Sequence, residues 1–367
     1  MAKEYTIEVI GHPSIYQYKE RKLQIYFSAP DHGVNSESGL LLLIPGFGAN
    51  ANSKIYKKMR NTFADMYNLV TIQCDYFGWE FMQTPKPNQL NKLNIPMNKL
   101  DEYFTEEEIR YILAGGSPFQ KMLQLKKKTE FYLPLNMNLN EDLTNFNDMG
   151  IMQSIDNITA VLVVMEILKD NNLMFNEGRI HTYGHSHGAY LAYLCNAFAP
   201  DLFSMIIDNS AWLYPIYINF TRELEATIAF VKAGLIFSYL AKTMPQDEEI
   251  LSLPSLYKKF INKCQIICFH GNTDKIISHI DKHRFCHAVS SCVYNEITQE
   301  DIDGEIFKST RHGLDADFLR LFNYVMEKYK NCFGKKNAFE YPVFTIETAK
   351  KSYNFDYSSG RPVVKLN

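Results

Sequence analysis

The 367-residue chain has no Cys-x-x-Cys pair among its seven cysteines. That removes the usual spacing of a zinc ribbon or a dithiol redox site. The count is odd, and Cys74, Cys195 and Cys268 fall inside strand-like or helix-like runs. Reduced, buried thiols are therefore expected rather than a disulfide framework. Charge of one sign is also lacking, since the net charge is -3. Such a balance gives no hold on nucleic acid or an anionic membrane. The run Lys126-Lys127-Lys128 reads as a solvated helix face. Repeats and low-complexity tracts are missing as well. The opening residues Met1-Ala-Lys-Glu-Tyr-Thr-Ile carry no apolar core of the secretory kind. The longest apolar run, Ala226 to Ala241, contains Lys232 and is too short to span a bilayer. A cytoplasmic protein without a membrane span is the expectation.

What is present is ordinary for a globular protein, with 46% hydrophobic and 22% charged residues. Aromatic residues reach 14%. Either an aromatic-lined pocket or core packing accounts for them.

Strand-like and helix-like runs alternate along most of the chain, which predicts an α/β fold with a mainly parallel sheet. Tyr5–Ile10 and Lys22–Phe27 open it as a strand pair. Gly39-Leu-Leu-Leu-Leu-Ile-Pro45 is continuously apolar, as a strand buried on both faces must be. Ser53–Tyr67 fits a helix and Leu69–Cys74 a strand. Asp148–Lys169 carries Ile151, Ile155, Ile158, Leu162 and Met165 at helical spacing. Leu202–Asp208, Cys264–His270 and Cys292–Ile297 contain further strands, with helices at Ser278–Val289 and Leu314–Lys330. Two segments break the alternation. Residues 83–145 are too long for a structureless loop, so an inserted, partly helical segment is expected, with helices near Leu100–Leu113 and Gln120–Phe131. Residues 213–262 form the second, whose run Thr227–Leu240, with Phe230, Leu235 and Phe237, reads as the roof of an acyl pocket or as a core helix.

Arg179-Ile-His-Thr-Tyr-Gly-His-Ser-His-Gly188 is a strand entering a G-x-S-x-G turn, and Ala189–Cys195 continues as a helix. That turn is tight, so Gly184 and Gly188 stand where side chains do not fit. It lifts the Ser186 hydroxyl above the sheet edge. It also aims the backbone N–H of His187 at the oxyanion of an acyl transfer. A serine needs a base, and the base an orienting carboxylate. Asp274, in His270-Gly-Asn-Thr-Asp274, follows directly on a strand. His312, in Arg311-His-Gly313, follows the next strand. Asp208 is the alternative acid. The second oxyanion donor is expected at the N–H of Phe47, in Pro45-Gly-Phe-Gly48. His181, His185 and His187 lie along a strand and into a helix, which suits no shared ion, so neither metal nor cofactor is expected. His279, Asp281, His283 and His287 read as a helix surface.

These four motifs, in this order, resemble the α/β-hydrolase superfamily over roughly residues 39–82 and 146–331, and Cys74-Asp-Tyr-Phe-Gly78 adds to the match. Gly184–Trp212 and Ile266–Ile277 resemble its branch of prolyl-oligopeptidase-like and dienelactone-hydrolase-like domains. Phe146-Asn-Asp-Met-Gly-Ile-Met-Gln153 is similar to a group of uncharacterised bacterial proteins. The resemblance implies one domain over 1–367, with 83–145 and 213–262 as a cap. It implies a serine hydrolase, a carboxylesterase or deacetylase on a small or glycan-linked ester. An acyltransferase with the same three residues and a binding protein that keeps the fold are the alternatives.

Overall fold

A computed structural model of the protein describes residues 1–84, 93–94, 97–125, 131–137, 139–228, 231–329 and 338–367. Lys126–Lys128 and Phe230 lie outside them. The chain divides into two compact units. One comprises Met1–Met82, Leu143–Pro215 and Pro245–Asn367. The other comprises Gln83–Asp142 and Ile216–Met244.

The first unit is built on an eight-stranded sheet. Its strands are β1 (Lys3–Ile10), β2 (Lys22–Ala29), β3 (Gly39–Ile44), β4 (Leu69–Cys74), β5 (Ile180–His185), β6 (Met205–Asn209), β7 (Gln265–Gly271) and β8 (Cys292–Ile297). They lie in the order β1-β2-β4-β3-β5-β6-β7-β8. β2 runs antiparallel to both its neighbours, and every other adjacent pair is parallel. All residues of β3, β4 and β6 are buried. Helices cover both faces, which is why these strands are apolar without alternation.

Helices α1 (Lys54–Tyr67) and α5 (Phe318–Lys328) lie on one face. Phe63 of α1 stacks on Phe322 of α5 with ring centroids 4.1 Å apart, and Tyr183 of β5 packs on Phe322 from below. The other face carries α2 (Ile151–Asp170), α3 (His187–Phe198) and α4 (His279–Ala288). Among the described residues α2 is long and apolar enough to cross a membrane, yet sixteen of its twenty residues are buried in this unit. It starts three residues later than its periodicity predicts, because Asp148 serves as its N-terminal acceptor. The Asp148 carboxylate takes the N–H of Met152 at 2.7 Å and of Gly150 at 3.3 Å. Burial pushes that carboxyl up to about 6, against the pull of those N–H groups.

The chain from 338 onward forms a separate antiparallel sheet of Val343–Glu347, Ser352–Asp356 and Val363–Leu366. Two aromatic side chains fasten it. Tyr357 donates to the carbonyl of Phe198 at the end of α3, at 2.6 Å. Phe355 stacks on the Phe198 ring at 4.9 Å.

The second unit adds a sheet to the partly helical insertion expected. It holds a four-stranded sheet in the order Leu93–Asn94, Phe131–Met137, Val231–Phe237, Arg222–Ile228. Two short helices, Glu106–Leu113 and Pro118–Gln124, accompany it. Thr105 and Glu108 form a reciprocal capping box at the first. Within the run 227–240, read as a pocket roof or a core helix, Val231–Phe237 is instead a strand paired antiparallel with Arg222–Ile228. Its residues say why. Glu223-Leu-Glu-Ala-Thr-Ile228 alternates charged or polar with apolar at a period of two, and β-branched and aromatic residues follow in Val231–Phe237. Residues 213–215 and 245–262 belong to the first unit, so the second segment is shorter than expected.

Candidate active site

Strand β5 ends at His185 and α3 begins at His187, leaving Ser186 as the whole connection. Its backbone sits at φ 55°, ψ -120°, a region that disfavours any side chain. Such strain persists only where the surroundings over-determine it. Here the Ser186 N–H donates to the carbonyl of Asn209 at 2.8 Å, and its carbonyl accepts from Tyr190 at 3.1 Å in α3. The turn packs so closely that a Cβ on Gly188 would lie 2.1 Å from the Ile44 carbonyl oxygen, and one on Gly184 2.4 Å from the Ala189 backbone.

Asp274 lies in the turn after β7. Its Oδ1 accepts the N–H groups of Ile276 at 2.7 Å and Ile277 at 3.1 Å. His312 lies after β8 in a loop with three consecutive left-handed residues, Gly313, Leu314 and Asp315. The loop presents the imidazole between the other two side chains. His312 Nδ1 is 2.7 Å from Asp274 Oδ2, and His312 Nε2 is 2.7 Å from Ser186 Oγ. An ionised carboxylate only accepts, so Nδ1 carries the proton, Nε2 is the acceptor and Ser186 donates. Burial pushes the Asp274 carboxyl up. The hydrogen bond and charge of His312, with the two backbone N–H groups, pull harder and hold it below the usual carboxylate range.

The alternative acid is committed elsewhere. Asp208 Oδ2 accepts from Lys282 Nζ at 2.7 Å and from the Tyr193 hydroxyl at 2.8 Å. Its Oδ1 takes the Ala211 N–H at 2.7 Å. Burial opposes its ionisation, but Lys282 outweighs it and lowers the carboxyl.

The three histidines around the serine point to three different partners. His181 contacts Ser204 Oγ at 3.1 Å. His185 packs on Phe318 at 5.1 Å between ring centroids. His187 bonds Gln153 Oε1 at 2.7 Å through Nε2. Because the Gln153 amide nitrogen donates to the Phe77 carbonyl and to Asn147, its oxygen must accept, so His187 Nε2 is the donor. Burial holds His187 and His181 down to about 3, and burial with the nearby His312 charge holds His185 down to about 4. All three are neutral rings. His187 also packs against both Phe47 and Trp212, at 5.2 and 4.9 Å between centroids. Phe47 thus stands in the turn after β3, beside the residue that follows the serine.

Sequence reasoning missed Asn209, Ser210, Gln153 and Lys282. Gln153 closes the stretch Phe146–Gln153, and Asn209 and Ser210 fall within Gly184–Trp212, but no spacing within either stretch marks them. The one available signal was position, since Asn209 and Ser210 follow the carboxyl end of a central strand, where open α/β sheets place their sites.

The strand order with β2 reversed, and a strained serine joining β5 to α3, are those of an α/β-hydrolase. The chain belongs to the family described as "Protein of unknown function (DUF2920)", whose model matches residues 5–244. No curated protein matches the chain. Among solved structures it is similar to Est1E from Butyrivibrio proteoclasticus with ferulic acid bound, at 15% identity and a TM-score of 0.44, covering 84% of this chain and 94% of that one. It is similar to Thermogutta terrifontis esterase 2, at 10% identity and 0.44, covering 88% and 94%. Dienelactone hydrolase from Anabaena variabilis gives 12% and 0.43, covering 90% and 98%.

Proposed function

We propose that the protein is a serine hydrolase that works through an acyl-enzyme, a carboxylesterase or deacetylase acting on a small or glycan-linked ester. One observation carries this reading. Ser186, His312 and Asp274 form an unbroken hydrogen-bonded chain, 2.7 Å at each link.

The chemistry follows from that order. Ser186 Oγ attacks the ester carbonyl carbon while His312 Nε2 takes its proton. Asp274 keeps the Nδ1 proton in place and offsets the imidazolium charge. The carbonyl oxygen becomes an oxyanion. His187 opens α3, so its N–H has no acceptor within the helix and is free to serve that oxygen. The N–H of Phe47 is the second donor in this reading. The turn that carries Phe47 lies against the serine, because a Cβ on Gly46 would stand 3.2 Å from Ser186 Cβ. His312 then passes its proton to the departing alcohol. Water, activated by the same imidazole, releases the acid.

A fluorophosphonate probe with intact-mass readout tests this. Wild type should gain one adduct, and Ser186→Ala and His312→Ala should gain none. Folded wild type that stays unlabelled would overturn the reading.

A further inference from the structure

We infer that Ser210 is a positioning residue that holds the His312 loop in register with Ser186. The inference rests on the reading of Ser186 as the nucleophile.

The argument begins with an apparent misfit. Ser210 sits at φ 61°, in the left-handed region that favours glycine, and it is wholly buried. A glycine there would remove the backbone strain. What it would also remove is the hydroxyl. Ser210 Oγ accepts the N–H of Gly313 at 3.0 Å, and Gly313 is the residue directly after His312. That N–H belongs to a loop of three left-handed residues, where no helix or strand offers it a carbonyl. The same hydroxyl donates to Asn209 Oδ1 at 3.2 Å.

The neighbouring residue completes the connection. The Asn209 carbonyl takes the Ser186 N–H at 2.8 Å. Two consecutive residues therefore grip the backbone of the nucleophile on one side and the backbone of the base loop on the other. The grip is itself held firmly. The Ser210 N–H donates to the Phe269 carbonyl of β7 at 3.0 Å. On the far side, Lys282 binds both the Asp208 carboxylate, at 2.7 Å, and the Ala211 carbonyl, at 3.1 Å. Lys282 stands on α4, the helix that follows the Asp274 turn. The segment 208–211 thus ties together the three stretches of chain that carry serine, acid and base.

A hydrogen bond of 2.7 Å between Ser186 and His312 spans 126 residues of sequence, so small shifts of either loop are costly to reaction geometry. Ser210 acts on the reaction only through His312.

The test compares wild type, Ser210→Gly and Ser210→Ala by two readouts, the second-order rate of fluorophosphonate labelling and the melting temperature. Alanine keeps the strained backbone and glycine relieves it, so Ser210→Gly should melt above Ser210→Ala. Both lack the hydroxyl, so both should label about 10- to 100-fold more slowly than wild type, to a similar extent. A merely structural serine would instead make labelling follow melting temperature. Either variant labelling within twofold of wild type, or labelling rates ordered as the melting temperatures, would overturn the role of Ser210 while leaving the nucleophile in place. An unlabelled wild type would remove the nucleophile reading and the role of Ser210 with it.

Discussion

Lys282 Nζ lies 2.7 Å from Asp208 Oδ2, with both side chains completely shielded from solvent. A buried pair of this kind adds little over an apolar pair of the same shape, but removing one partner strands the other charge. Lys282→Met should therefore cost about 3–5 kcal/mol in urea unfolding. Adding Asp208→Asn should recover most of that loss. Equal stability of the single and double variants would show that the pair is not coupled as the distances indicate.

Asp274 fixes the proton of His312 on Nδ1. In Asp274→Asn the amide can donate to that nitrogen and favour the wrong tautomer, leaving Nε2 protonated and unable to accept from Ser186. Ester hydrolysis should fall about 10⁴-fold with the fold intact. Hydrolysis within tenfold of wild type would eliminate Asp274 as the orienting acid. Asp208 gives a useful contrast, because both its oxygens are taken by Lys282, Tyr193 and Ala211.

Acid should weaken the fold well above the range where carboxylates titrate. His181 and His187 are held neutral down to about 3, and His185 to about 4, chiefly by burial. Unfolded, each would take a proton near its usual value of about 6.5. Between those limits the unfolded state binds more protons on these rings, and Asp148, pushed up to about 6, offsets only one ring's share, so stability falls as pH falls below about 6.5. Each ring contributes at most about 1.4 kcal/mol per pH unit. Urea unfolding at pH 7, 6 and 5 should show this slope, and His181→Leu should flatten it by up to one ring's share. A profile flat from pH 7 to 5 would contradict the burial of these rings.

The elbow should tolerate no added methyl group at Gly188. A Cβ there meets the Ile44 carbonyl oxygen, which is part of the central sheet and cannot yield. Gly188→Ala should cost at least about 3 kcal/mol, or prevent accumulation of folded protein. Gly33 makes a fair control for accumulation, since a Cβ on it meets nothing within 4 Å and only its positive φ opposes alanine. If Gly188→Ala folded with unchanged stability, the turn would have to be looser than its backbone contacts imply.

The inner strands of the main sheet were readable because they are buried on both faces and spell unbroken apolar runs, such as Leu40–Ile44. Ser186, Asp274 and His312 were readable because each follows a strand end and stands beside a glycine or within a recognisable turn. The hairpin at 222–237 was not, although Glu223, Glu225 and Thr227 alternate with Leu224 and Ala226. Its apolar second half, Val231–Phe237, suits a core helix equally well, and only its partner strands decide the matter. The late start of α2 was hidden for a different reason. Helical periodicity counts Asp148 in, while hydrogen bonding by its carboxylate leaves it outside. Ser210 and Lys282 act by long-range contact, and no local pattern marks such residues.

The distance along the chain between Ser186 and His312 has a consequence during synthesis. The serine and its strained turn are made 126 residues before the imidazole that would deprotonate it. At about 5–20 residues per second, a growing chain carries that hydroxyl without its base for roughly 6–25 s. On the proposed reading, a nascent chain stays inert toward acyl groups until His312 has been made. Any fragment that ends before His312 would carry an unreactive serine.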